Sequence, residues 1–164
     1  MSEIVLSATE IIHGAQAGVM RRVNNIKNNR HQKYGADAYD AWTMDIEGAL
    51  GEMALAKYLG VYWEGYGIKA GSDVSGDDVR TTKYSNGRLI MHPDDHDDRR
   101  YWLVTGQSGA YNIRGWIMGY DGKHSDYWED PQGGRAAYFV PQSRLYKKPP
   151  ALGRGLSYRE ETSK

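Results

Sequence analysis

The sequence predicts an α/β domain in which helices come first and a sheet follows. Two observations carry this. Between residues 7 and 59, apolar residues recur at helical spacing. From 71 to 141, short runs of branched and aromatic residues are punctuated by Gly, Pro, Asn and Asp. The 164 residues suffice for one domain with a real core, assigned to 1–148, with 149–164 as a C-terminal tail.

The first helix is predicted over 7–33. Ser7 and Glu10 form a capping-box pattern, and Ile11, Ala15, Val19, Val23 and Ile26 give an apolar stripe. The helix then turns basic, with Arg21, Arg22, Lys27, Arg30, His31 and Lys33. That side reads either as a solvated face or as a surface that touches a DNA backbone. Gly35 and two Asp mark a break over 34–40. The second helix is predicted from Trp42 to Leu59, ended by Gly60. Glu52 shares a helical line with Ala49, Ala56 and Leu59, so it sits on or beside a small, apolar face. Gly48 and Gly51 admit another backbone at a cost in helix propensity. Glu47 points elsewhere, about 140° around the axis.

Residues 61–70 carry Tyr62, Trp63, Tyr66 and Ile68 among glycines and read as a loop that lines a cleft or covers the core. Gly71 to Lys83 reads as a strand end, a tight turn and a second strand. Asp73 precedes the turn, and Asp77 and Asp78 leave it. In an extended Asp78–Lys83, alternation places Asp78, Arg80 and Thr82 on one face and Val79 and Thr81 on the other. A buried Thr81 would need a partner for its hydroxyl. Acids beside a base suit hard-metal and phosphate chemistry, but Asp is also a common turn former. Asn86-Gly87 is a turn signal, with 88–91 as the return strand of this hairpin. The acidic run over 92–100 reads as a metal site through Asp94, Asp95, His96, Asp97 and Asp98, or as a solvated loop. Strands are predicted over 101–105, 110–118 and 135–140, with a turn at 119–122 and a short helix or irregular segment in 123–134. Pro149, Pro150, Gly153 and Gly155 leave the tail with little to build a core, and 154–164 is expected to be mobile or used only on assembly.

Twenty-one basic residues balance twenty-one acidic ones, so attraction to nucleic acid would have to come from a local cleft. Without cysteine there are no disulfides and no thiol catalysis. The N-terminal residues show no signal peptide, and no stretch is long and apolar enough for a membrane. A cytoplasmic protein is the expectation.

The order Gly48-Ala49-Leu50-Gly51-Glu52, Ser72-Asp73-Val74 and Asp78-Val79-Arg80-Thr81-Thr82 resembles the PD-(D/E)XK, or restriction-endonuclease-like, nuclease superfamily. That core has a helix with a Glu, a strand ending in Asp, and a strand bearing an acid, any residue, then Lys. The match is clear over 48–83 and weaker to Gln142, where it resembles small phage-encoded proteins of this kind. The resemblance implies a central mixed, twisted sheet flanked by the N-terminal helices. It implies Mg²⁺ or Mn²⁺ held by Glu52, Asp73 and Asp78, and hydrolysis of DNA phosphodiesters. Arg80 stands where the lysine would be and could hold a phosphate, but it does not accept a proton. Lys83 could replace the lysine only through a bulge. Arg21, Arg22 and Lys27 are expected along the DNA backbone. The family also places a helix where this chain has only Gly106–Ala110. Two other readings stay open. One is a catalytically silent member of the fold that binds DNA or a protein, alone or as a homodimer. The other is a phage accessory protein whose Tyr and Trp surface binds a host protein.

Overall fold

The computed structural model describes residues 2–30, 38–65 and 73–151. Strand β1 (Ser2–Val5) leads into helix α1 (Ala8–Lys27) and helix α2 (Ala38–Leu59). There follow β2 (Asp78–Thr82), β3 (Leu89–Met91), β4 (Arg100–Gln107), β5 (Ala110–Met118), a one-turn helix α3 (Gly119–Gly122), β6 (Trp128–Glu129) and β7 (Ala137–Val140). The architecture is α/β. A mixed four-stranded sheet in the order β1-β5-β4-β2 lies with the helix pair on one side, and a separate three-stranded sheet β3-β7-β6 packs on the other. Among the described residues no helix is long and apolar enough to cross a membrane.

Helix α1 starts as its capping box requires: Ser7 accepts from Glu10 N, and the Glu10 carboxylate accepts from Ser7 N at 2.7 Å. Its buried face is not the expected stripe. Val19, Val23 and Ile26 are exposed, and α1 instead buries Gly14, Ala17, Gly18 and Arg22. The reason is close approach. A Cβ on Gly18 would stand 2.5 Å from Ile46 Cα, and one on Gly14 would stand 2.6 Å from the Leu50 side chain. Small residues let the helices meet nearly backbone to backbone, which turns the larger apolar residues outward.

Strand β4 is the centre of the sheet and is buried on both faces, as a strand covered on both sides must be. Trp102 and Val104 pack toward α2 with Ala49, Met53, Ala56 and Trp63. Tyr101 and Leu103 pack the other way, against Leu89, Met91 and Val140 of the second sheet. The β4–β5 hairpin closes through Ser108 and Gly109, both at positive φ, and no helix intervenes.

The expected hairpin around Asp73 is corrected. Positions 71 and 72 lie outside the described residues, and only an isolated bridge, Val74 with Asp77, precedes β2. Strand β2 pairs in parallel with β4 instead, Asp78 opposite Tyr101 through Thr82 opposite Thr105. Likewise β3 does not return along β2; it pairs antiparallel with β7, Ile90 opposite Phe139. The turn signal at 86–87 is real, with Gly87 N donating to Tyr84 O at 2.9 Å, but it hands the chain to another sheet. Of the break expected over 34–40, positions 34–37 lie outside the described residues and 38–40 are helical, because α2 starts at Ala38 rather than Trp42; the tail beyond 151 also lies outside the described residues.

Gly51 seats α2 on β2. A Cβ there would stand 2.1 Å from Thr81 Oγ1, whereas a Cβ on Gly48 meets nothing within 4 Å. The Thr81 hydroxyl is buried without a hydrogen-bond partner among the described residues, against the expectation that it would find one. Gly51→Ala is therefore expected to destabilise by about 1–3 kcal/mol through overpacking, although Ala is the better helix former. Gly48→Ala, free of any contact, should stabilise by roughly 0.5–1 kcal/mol. Chemical denaturation of the two variants checks both signs; equal effects would refute the seating role of Gly51.

Candidate active site

Strand β2 is the edge of its sheet, so one side of its backbone has no strand partner. Asp73 fills that role: its Oδ2 accepts from Val79 N at 2.8 Å. The bridge that positions Asp73 is built from Asp77, whose N–H donates to Val74 O while its C=O accepts from Asp73 N and Val74 N. Asp77 itself is not part of the site. Its carboxylate is buried, takes Arg100 Nε at 2.8 and 3.0 Å, and accepts from Trp102 Nε1 at 2.8 Å.

Glu52 reaches the same place from α2, and it is buried at 6% exposure. Arg21 donates to both of its oxygens at 2.8 Å, and Trp63 Nε1 donates to Oε2 at 3.2 Å. Burial pulls the Arg21 pKa down, but the bond to Glu52 and its charge outweigh this and the net shift is upward. Asp78 faces Arg99 Nη1 at 3.5 Å and bonds the Tyr101 hydroxyl. Arg80 pairs with Asp95 at 2.9 Å and lies 5.2 Å above the Tyr101 ring. Asp95 is in turn held by His92 N at 2.9 Å.

Asp73 is where these charges meet. Burial pushes its carboxyl up, the Glu52 charge pushes it further, and Asp78 adds to this. The Val79 N–H and the Arg80 charge oppose them, and the pKa settles at about 7. The expected constellation of Glu52, Asp73, Asp78 and Arg80 thus acts on one carboxyl. It does not form a ready three-acid cage: among the described residues no three His or acidic side chains could hold a metal ion. The acidic run over 92–100 is no exception. Asp95 is a clamp for Arg80, and Asp97 pairs with Lys123.

Three expectations are corrected by position. Lys83 lies beyond the end of β2, is exposed, and its ammonium sits 5.2 Å from the Tyr84 ring centroid. The register of β2 is unbroken, so no bulge brings Lys83 round. Arg22 is buried, facing Asp45 at 3.5 Å and donating to Arg30 O, and cannot lie along a DNA backbone. Arg21 is spent on Glu52 and the Gly65 carbonyl. Only Lys27 of that trio is exposed. Glu47 does point away from the site, as expected, and holds the β4–β5 hairpin through Ser108 N and the Tyr111 hydroxyl.

The role of Arg21 was legible in principle. Gly14, Ala17, Gly18 and Arg21 fall at i, i+3, i+4 and i+7, one helical line of small residues ending in an arginine. Asp95 and Trp63 carried no such signal. No family model, no curated protein and no solved structure matches this chain.

The raised Asp73 pKa gives a pH test. Between about pH 4 and 7 the folded chain keeps a proton that the unfolded chain has released, so stability falls as pH rises through that window. Chelator-treated wild type should lose roughly 1–3 kcal/mol more than Asp73→Asn across it, at about 1.4 kcal/mol per unit. Urea melts read this; parallel pH profiles for the two proteins would refute the charged surroundings ascribed to Asp73.

Proposed function

We propose that the chain is a metal-dependent phosphodiesterase acting on DNA in the cytoplasm, with its site at the head of β2 in a restriction-endonuclease-like arrangement. The observation that supports this is Asp73, a buried carboxyl within electrostatic reach of Glu52, Asp78 and Arg80 at once. These are the groups that the helix–strand–strand motif sets in order.

The donor set fits a hard cation. Mg²⁺ is commonly bound through one or two carboxylates, with water and substrate phosphate completing its shell. Asp73 and Asp78 would hold Mg²⁺ or Mn²⁺, and Glu52 would join only if Arg21 released it. When bound, the ion would lower the pKa of a water and polarise the phosphate. The protein's own groups do the rest. Arg80, freed from Asp95, would grip two nonbridging oxygens with its planar fork. It would stabilise charge as it develops and would not take up a proton. Arg21 fixes the Glu52 side chain in place, and the Glu52 charge reaches Asp73.

A second reading is favoured by one observation: Arg21 occupies both oxygens of Glu52. In that reading the protein binds DNA through the same face and does not cleave it. One assay separates the two. Linear duplex, supercoiled and single-stranded DNA are incubated with wild type in Mg²⁺ or Mn²⁺ and, separately, in chelator. Cation-dependent cleavage is expected, reduced on the order of 100-fold or more by Asp73→Asn, Asp78→Asn or Arg80→Ala. Cleavage indifferent to Asp73→Asn and Asp78→Asn would overturn the site. DNA binding without cleavage under every condition would establish the second reading.

A further inference from the structure

Beside the acid site lies a cleft of about 980 Å³, at the upper end of the range for ligand pockets. Its two walls follow from strand alternation. On β3 and its approach, Leu89 and Met91 turn into the second core, so Arg88, Ile90 and His92 turn out. On β7, Tyr138 and Val140 turn into that core, so Ala137 and Phe139 turn out, with Arg135 just ahead of them. Ile90 and Phe139 are cross-strand partners and form an apolar, part-aromatic panel. The facing wall is β2, with Arg80 and Thr82. Arg80 is two residues, about 7 Å, along the strand from Asp78.

The lining is chemically lopsided. Arg80, Arg88 and Arg135 surround it against one acid, Asp94. Arg88 lies 4.7 Å over the Phe139 ring, and its ion pair with Glu129, at 2.7 Å, is exposed on both partners. An exposed pair of this kind holds its members weakly, so an incoming anion can recruit Arg88. Phe139 is the only phenylalanine in a chain of thirteen tyrosines and five tryptophans, and it is only half-buried.

A flat apolar panel ringed by guanidinium groups suits a ligand with an aromatic plane and flanking phosphates. We infer that this cleft binds unpaired DNA: the phosphates draw Arg88 off the Phe139 ring, a base takes its place against Phe139 and Ile90, and the adjoining phosphates lie on Arg88, Arg135 and Arg80. Pairing matters because a base inside a duplex has both faces covered by its neighbours, and only an unpaired base can offer one to a side chain. The inference rests on the preceding reading only for what happens at the phosphate next to Arg80. The binding does not depend on it.

The test is therefore run in chelator, where no hydrolysis can interfere. A labelled oligothymidylate, the same length of duplex and an abasic oligonucleotide are titrated with the full chain by fluorescence anisotropy. The single strand is expected to bind at least about tenfold tighter than the other two. Phe139→Leu, which keeps an apolar group but removes the ring, should weaken single-strand binding about tenfold, the scale of one lost stacking contact. It should leave abasic binding unchanged. Arg135→Glu, on an exposed loop where folding is not at stake, should weaken all three. Equal affinity for duplex and single strand, indifference to Phe139→Leu, or no binding at all would overturn the inference. Binding that behaves as expected without cleavage in Mg²⁺ would overturn the hydrolytic reading and leave this one standing.

Discussion

The contact between Gly51 and Thr81 sets the position of everything else at the site. With no Cβ at 51, α2 lies on the edge strand closer than any side chain would permit, and the next residue, Glu52, is carried to the head of β2. The same closeness isolates the Thr81 hydroxyl from any partner among the described residues. A buried hydroxyl without a hydrogen bond costs about 1–3 kcal/mol. A fold that keeps such a group, and keeps Gly51 within a helix, accepts a stability cost where helix meets strand. Glu52 and Asp73 are brought together there.

Placing two carboxylates in a buried position is unfavourable unless their charge is offset. The chain offsets Glu52 fully, with a two-pronged Arg21 and an indole N–H. It offsets Asp78 with Arg99 and a tyrosine hydroxyl. Asp73 receives one backbone N–H and the more distant charge of Arg80. The consequence is visible in its pKa, which is driven far above the ordinary carboxylate range. Asp77, three residues before Arg80, shows the opposite solution. It is more deeply buried than Asp73, but Arg100 and Trp102 satisfy both of its oxygens, and it serves as a structural post. Identical side chains in one turn thus divide into a satisfied support and a carboxyl with a raised pKa according to what faces them.

Much of the element order was legible. The capping box at Ser7, the strand at 110–118 and the alternation of Asp78 and Arg80 against Val79 rest on local geometry, and they appear as the residues dictate. Helix ends were misjudged locally, α1 stopping at Lys27 and α2 starting at Ala38, but the larger misreadings are long-range. Val19, Val23 and Ile26 satisfy the helical period, yet the glycine-lined face is the buried one, because Gly14 and Gly18 let α2 approach where a Cβ would clash. Asn86-Gly87 makes its turn, but a turn signal does not name the partner strand; β2 and β3 separate because each finds a better-buried neighbour, β4 and β7. Of the site, the four residues Glu52, Asp73, Asp78 and Arg80 were readable from order along the chain. Of their counter-charges, Arg99 and Asp95 were not, since an ion pair across 15 or more residues leaves no periodic trace, whereas Arg21 closes the small-residue line of α1.

Arg80 joins the two halves of the functional reading. It alternates onto the same face as Asp78, it is held by Asp95 from the acidic loop, and it lines the cleft that Arg88 and Arg135 also line. A lysine at this position would offer a point charge that could shed its proton; arginine stays charged and presents a fork matched to two phosphate oxygens. Its pairing with Asp95 is a placeholder of the same shape, a carboxylate presenting oxygens where a phosphate would present its own. Exchange of one for the other requires no movement of β2, only release of a half-exposed guanidinium from a loop acid. A strand acid site that has arginine for its cation is therefore suited to gripping a phosphate backbone first. Any hydrolysis must draw its proton acceptor from water or carboxylate, because neither Arg80 nor the outward-turned Lys83 supplies one.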